Sequence, residues 1–237
     1  MVAAGSVPVL ERPEEVAPLV TELIAGERLV VLERRGGWLG VVVAPGHATG
    51  LDPRGYPGWA RPGGLVEAPG WDPDLAVVAP NGAGLPLGAL LRREGREARL
   101  PDGGVAALEP GAAKPAGRPV EAAPAGISRG LLGLPYRWGG TDSTVGMDCS
   151  GLVFRVMGLL GVTVPRDADD QFERAPFKSR GSWEGAEEDD LIFFGEDSVT
   201  HVGLYLGDGT YLSEHGSSGT VIRGVDRDPY WGYARYS

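Results

Sequence analysis

Short apolar runs alternate with glycine- and proline-rich turns through the first half of the chain, and this texture changes after residue 126. "RLVVLE" (28–33), "WLGVVVA" (38–44) and "LAVVA" (75–79) are separated by "RRGG", "DPRGYPG" and "APNGAG". Apolar runs of that length between turn formers predict the strands of small barrels or sandwiches. Two small β units follow, over 1–68 and 69–112. The stretch "EPGAAKPAGRPVEAAPAG" (109–126) lacks apolar periodicity, and 113–126 is expected as a semi-stiff linker. Beyond it, "ISRGLLGL" (127–134) predicts a short helix. In "GMDCSGLVFRVMGLLGV" (146–162), Leu152, Val153, Val156, Leu159 and Leu160 share one face of a second helix that Gly161 can end. "DLIFFG" (190–195), "HVGLYLGDG" (201–209), "TYLSEH" (210–215) and "TVIRGV" (220–225) then predict antiparallel strands, so 127–237 carries an α+β pattern.

Composition narrows the partners. The chain has 237 residues, 42% of them hydrophobic, which is long for a single core. A net charge of -10 repels nucleic acid and anionic membrane surfaces, so neither is an expected partner. No apolar stretch has the length to cross a bilayer. The first residues, "MVAAGSVPVLERPEEVAP", lack a basic segment followed by an apolar one, which gives a cytoplasmic expectation. A chain relieved of its export signal would read the same way. One cysteine cannot form an internal disulfide, and three histidines (His47, His201, His215) leave little for a zinc centre, so no metal or cofactor is expected.

The lone cysteine, Cys149, stands where the second helix begins. Unpaired N–H groups and the positive end of the helix dipole favour a thiolate there, although most single cysteines are packing residues. His201 opens a strand whose alternation puts His201, Gly203 and Tyr205 on one face and Val202, Leu204 and Leu206 on the other. A helix-start thiol and an imidazole with room around it fit the pair of a Cys-His hydrolase.

"PYRWGGTDSTVGMDCSGLV" (135–153), "VPRDADDQ" (164–171), "DLIFF" (190–194), "HVGLYLGDGTYL" (201–212) and "PYW" (229–231) together resemble the NlpC/P60 peptidases, papain-like cysteine hydrolases of peptidoglycan peptides. The resemblance implies Cys149 as nucleophile and His201 as base. It also implies substrate roles for Tyr136, for Asp148 and Ser150 beside the cysteine, and for Asp167, which would bind a free N-terminal ammonium. For the residue that orients His201, an ungapped match gives Ser213, with His215 two positions on. A two-residue loop at Asp208-Gly209 would turn both away from His201. A three-residue loop over 207–209 sets His215 across from His201 and Ser213 diagonal to it. Both candidates stay open.

"LVTELIAGERLVVLERRGGWLGV" (19–41) with "RGYPGWA" (54–60) resembles a bacterial SH3-type domain, and 75–108 resembles one more weakly. The expected fold is therefore two small all-β SH3-like barrels followed by a papain-like α+β domain with a central antiparallel sheet. In the two-SH3 branch of the family the first domain lends the substrate pocket a tyrosine, here Tyr56, and a glutamate, either Glu22 or Glu27. The implied activity is hydrolysis of the γ-D-glutamyl bond to the diamino acid in short murein peptides with a free N-terminal L-Ala. A secreted hydrolase of intact wall and a non-catalytic wall- or peptide-binding module are the alternatives.

Overall fold

The computed structural model describes residues 1–43 and 47–236. Ala44, the last residue of the expected strand 38–44, lies outside the described residues, as do 45, 46 and 237. The molecule is mostly antiparallel sheet with a few helices.

In the leading unit, β1 (Val7–Leu10), β2 (Leu19–Leu23), β3 (Leu29–Arg35), β4 (Trp38–Val43) and β5 (Tyr56–Ala60) form a sheet in the order β2-β1-β5-β4-β3. Alternating side chains such as Val7, Val9, Leu39 and Val41 bury a shared core. The second unit holds β6 (Leu75–Val77), β7 (Leu90–Glu94), β8 (Glu97–Arg99), β9 (Val105–Ala107) and β10 (Ala113–Pro115), ordered β9-β8-β7-β6-β10. The strand β10 corrects the expected linker over 113–126, because Ala113–Pro115 pairs with Leu75–Val77. It occupies a sheet edge, where proline is tolerated and where no apolar alternation announces a strand. The linker's other end enters the helix α1 (Pro124–Arg129), which begins three residues before the expected one and has Pro124 in its first turn.

The third region contains α1, α2 (Cys149–Leu159), α3 (Ala168–Glu173) and a six-stranded sheet. Its strands are β11 (Phe177–Ser179), β12 (Leu191–Phe194), β13 (His201–Gly207), β14 (Thr210–His215), β15 (Gly219–Gly224) and β16 (Tyr230–Arg235), ordered β11-β16-β12-β13-β14-β15. The helix α2 lays Leu152, Val153 and Val156 on Phe193, Val202, Leu204 and Leu212. The other sheet face packs Ile192, Phe194, Tyr205 and Tyr211 together. No helix among the described residues is long and apolar enough to cross a membrane.

A polar seam joins the leading unit to this α+β region. Arg137 and Arg155 pair with Glu22 and Glu27, and the Thr141 hydroxyl donates to the Glu22 carbonyl at 2.9 Å. Gly139, at φ 70°, packs where any Cβ would strike the Leu19 backbone, so the close approach of the two regions requires glycine there.

Candidate active site

The helix α2 starts at Cys149 because Asp148 caps it. Its Oδ1 accepts the Gly151 N–H at 2.6 Å, and its Oδ2 accepts the Gly139 N–H at 2.8 Å, which ties the preceding loop to the cap. The backbone groups of Val202 and Ser150 act on the Cys149 thiol to lower its pKa. Val202 follows His201 in β13 and shares a buried cluster with Cys149, so α2 and β13 pack together there. Burial nevertheless outweighs the helix start. It pushes the Cys149 thiol up to about 12, with the Asp148 charge adding to the shift, whereas position alone predicts a lowered value. His201 is driven down to about 4, first by burial and then by His215. Both shifts favour the uncharged forms, thiol and neutral imidazole.

His215 lies across from His201, with their Nε2 atoms 3.3 Å apart. The hairpin reaches this register by a route that combines the two expected ones. Asp208 and Gly209 form a two-residue turn with φ of 49° and 67°, and a bulge between Tyr205 and Gly207 absorbs the extra residue. Ser213 donates its hydroxyl to the Val202 carbonyl, so the structure brings His215, and not Ser213, to the imidazole. Behind His215 stand Arg223, 3.2 Å from Nδ1, and the Tyr211 hydroxyl, 3.1 Å from Nε2, which itself bonds Asp228 at 2.5 Å. Gly203 leaves the room that the Tyr211 ring fills.

A cleft of about 380 Å³ runs past the sulfur and is lined by Tyr56, Tyr136, Asp148, Cys149, Ser150 and Asp167. Tyr56, Tyr136, Asp148, Ser150 and Asp167 thus face one space. Tyr56 crosses from the leading unit to give Asp167 a hydrogen bond of 2.9 Å at Oδ2. Burial raises the Asp167 carboxyl, opposed by Arg166 and by that bond. Tyr136 is lifted to about 12, first by burial and then by Cys149 and Asp148, and is a neutral hydroxyl at working pH. Neither candidate glutamate lines the cleft, since Glu22 is held by Arg137 and Glu27 by Arg155. A neighbouring cavity of about 640 Å³, with Trp38 and Arg61, shares only Trp138 with the cleft and contains none of the candidate catalytic groups.

Sequence reasoning missed Arg166. Only 1% exposed, it forks onto Asp148 with Nη1 to Oδ1 at 3.0 Å and Nη2 to Oδ2 at 2.8 Å, and Nη1 also reaches Ser150 Oγ at 2.9 Å. It stands next to Asp167 in "VPRDADDQ", and a guanidinium within an otherwise acidic motif was the available signal.

Residues 133–236 match the family model described as "NlpC/P60 family". The chain is 31% identical over 220 residues to the gamma-D-glutamyl-L-lysine dipeptidyl-peptidase of Bacillus subtilis, covering 81% of this chain and 71% of that protein. The chain belongs to the NlpC/P60 family. A Bacillus cereus protein of the same description as the Bacillus subtilis peptidase is 30% identical over 227 residues, covering 82% of this chain and 66% of its own length. The peptidoglycan endopeptidase RipB of Mycobacterium tuberculosis is 40% identical over 102 residues, 38% of this chain and 41% of RipB. A solved NlpC/P60 family protein from Bacillus cereus superposes with a TM-score of 0.86 over 99% of this chain and 98% of its own, at 22% identity, and so shares the whole fold. This chain is therefore similar over most of its length to some NlpC/P60 proteins and over less than half of it to others.

Proposed function

We propose that the protein is a cysteine peptidase that hydrolyses the γ-D-glutamyl bond to the diamino acid in short murein peptides bearing a free N-terminal L-Ala. The observation that carries this reading is the shared cleft, lined by both Cys149 and an Asp167 carboxylate that accepts a hydrogen bond from Tyr56. A half-buried carboxylate lining a substrate cleft selects a cation, because a blocked amine leaves it desolvated and without a charged partner. The similarity to peptidases of γ-D-glutamyl-L-lysine bonds supports the choice of bond. The two leading units are read as SH3-like, the first closing one end of the groove. Selection for a free amine suits recycling of wall peptides in the cytoplasm.

In the proposed mechanism Cys149 attacks the γ-carbonyl while His201 takes the thiol proton, in keeping with shifts that favour the uncharged form of each. Backbone N–H groups at the start of α2 receive the oxyanion, and His201 returns the proton to the departing amine. His201 then deprotonates a water that attacks the thioester, and the thiol leaves reprotonated. His215, and not Ser213, orients His201. The test is incubation of wild type and Cys149→Ala with L-Ala-γ-D-Glu-diamino-acid tripeptide. Release of the diamino acid by wild type alone is expected; equal, negligible turnover would favour a binding module. Faster release from intact sacculi than from tripeptide would favour a wall hydrolase.

A further inference from the structure

A line of buried hydrogen bonds leaves the leading unit and ends at the cap of α2. Glu27 is paired with Arg155 and held ionised, well below the usual carboxylate range, by Arg155 and His47 against the burial that opposes it. Its Oε2 lies 3.3 Å from His47 Nε2, and an ionised carboxylate can only accept, so Nε2 carries the proton. Burial keeps His47 neutral, which leaves Nδ1 as an acceptor, 3.1 Å from Thr21 Oγ1. The Thr21 hydroxyl therefore donates to His47, and its oxygen accepts Arg166 Nε at 3.2 Å. Arg166 closes the line on Asp148, and its backbone N–H is held by the Ala48 carbonyl at 2.9 Å. Thr21, His47 and Arg166 are each at most 1% exposed, so each donor and acceptor role is fixed by its neighbours and no water competes.

We propose that Thr21 and His47 are positioning residues for the nucleophile: the leading unit holds Arg166 on Asp148, and through that cap sets the first turn of α2 and the reactivity of Cys149. This rests on the reading of Cys149 as nucleophile. The ionisable groups that act on the sulfur are Asp148, Arg166 and Tyr136. Asp148 raises the thiol and Arg166 lowers it, so a guanidinium that drifts from the cap leaves the carboxylate's influence uncompensated.

Cys149 is the only thiol, so alkylation by iodoacetamide, followed by mass spectrometry across pH 6–10 on the full chain, reads it directly. Thr21→Val keeps the shape and removes the hydroxyl. It is expected to react at least about fivefold more slowly at pH 8, with its profile displaced to higher pH. Thr21→Ser should restore the wild-type profile, and His47→Gln should shift it in the same direction if Thr21→Val fails to fold. Leu91→Ala, a core truncation in the second unit, should leave the profile of the folded protein in place. Superimposable profiles for wild type and folded Thr21→Val, or an equal shift in Leu91→Ala, would overturn the proposal. Alkylation needs no substrate. A shift without peptide hydrolysis by wild type would therefore sink the peptidase reading and keep the positioning role, whereas hydrolysis without a shift would sink the positioning role alone.

Discussion

The two leading β units attach to the rest of the molecule in different ways. The first meets the α+β region through charged and hydroxyl groups, including Glu22–Arg137, Glu27–Arg155, Thr21–Arg166 and Tyr56–Asp167. The second is held by apolar packing of Leu87 into the α2 core and by a few backbone bonds, such as Leu87 N–H to Ser143 Oγ at 2.9 Å and Leu90 N–H to Ala25 O at 2.8 Å. Directional groups transmit position and charge to a site, whereas apolar contact transmits chiefly stability. The first unit is on this account part of the active site, and the second is a buttress.

The largest effect tests the site to which the seam leads. Cys149→Ala should lower kcat for tripeptide by at least about 10³-fold without unfolding the protein, measured by diamino-acid release. Asp167→Asn should cost about 30- to 1000-fold in kcat/KM, the loss expected when one member of a desolvated charge pair is removed. Its pH profile should change as well. In wild type the acid limb follows Asp167, whose raised carboxyl loses its charge as pH falls through a higher value than an ordinary aspartate's. The alkaline limb follows the substrate's α-amino group, near pH 8. Asp167→Asn should flatten both limbs. Tyr56→Phe, which removes one hydrogen bond to Asp167, should cost about 5- to 20-fold in kcat/KM with little change in kcat.

The second unit should answer differently. Leu91→Ala truncates a fully buried side chain and should destabilise the fold by about 2–5 kcal/mol in denaturant unfolding. The kcat/KM of the folded fraction should stay within about threefold of wild type. A change of tenfold or more would erase the distinction between the two units. The smallest effect is the pH dependence of stability contributed by the seam. Burial depresses the folded pKa of His47, so below about 6.5 the unfolded chain binds a proton that the folded chain refuses. Stability therefore falls as pH drops from 6.5 towards 5. His47→Gln should reduce that slope by about 1.4 kcal/mol per pH unit, measured by urea midpoints.

Much of this was legible in the chain. Alternation drew β13 and β14 closely, and a single thiol at a helix start together with a strand-opening histidine pointed to the chemistry, because each signal is local. Features that depend on a distant partner were not legible. Ala113–Pro115 is a strand only because Leu75–Val77 lies beside it, and Arg166 is buried only because Thr21 and Asp148 satisfy it from two regions. The bulge at Leu206 gave the hairpin a third way to bring His215 to His201 that loop counting alone did not contain. The lowered thiol pKa expected at a helix start gave way to burial, which depends on the whole fold.

The most direct test compares kcat/KM for L-Ala-γ-D-Glu-diamino-acid tripeptide and its N-acetylated form in wild type and in Asp167→Asn. The account predicts that wild type favours the free amine by at least about 100-fold and that Asp167→Asn favours it by less than about threefold. Equal cleavage of the two peptides by wild type, or discrimination that survives in Asp167→Asn, would contradict it.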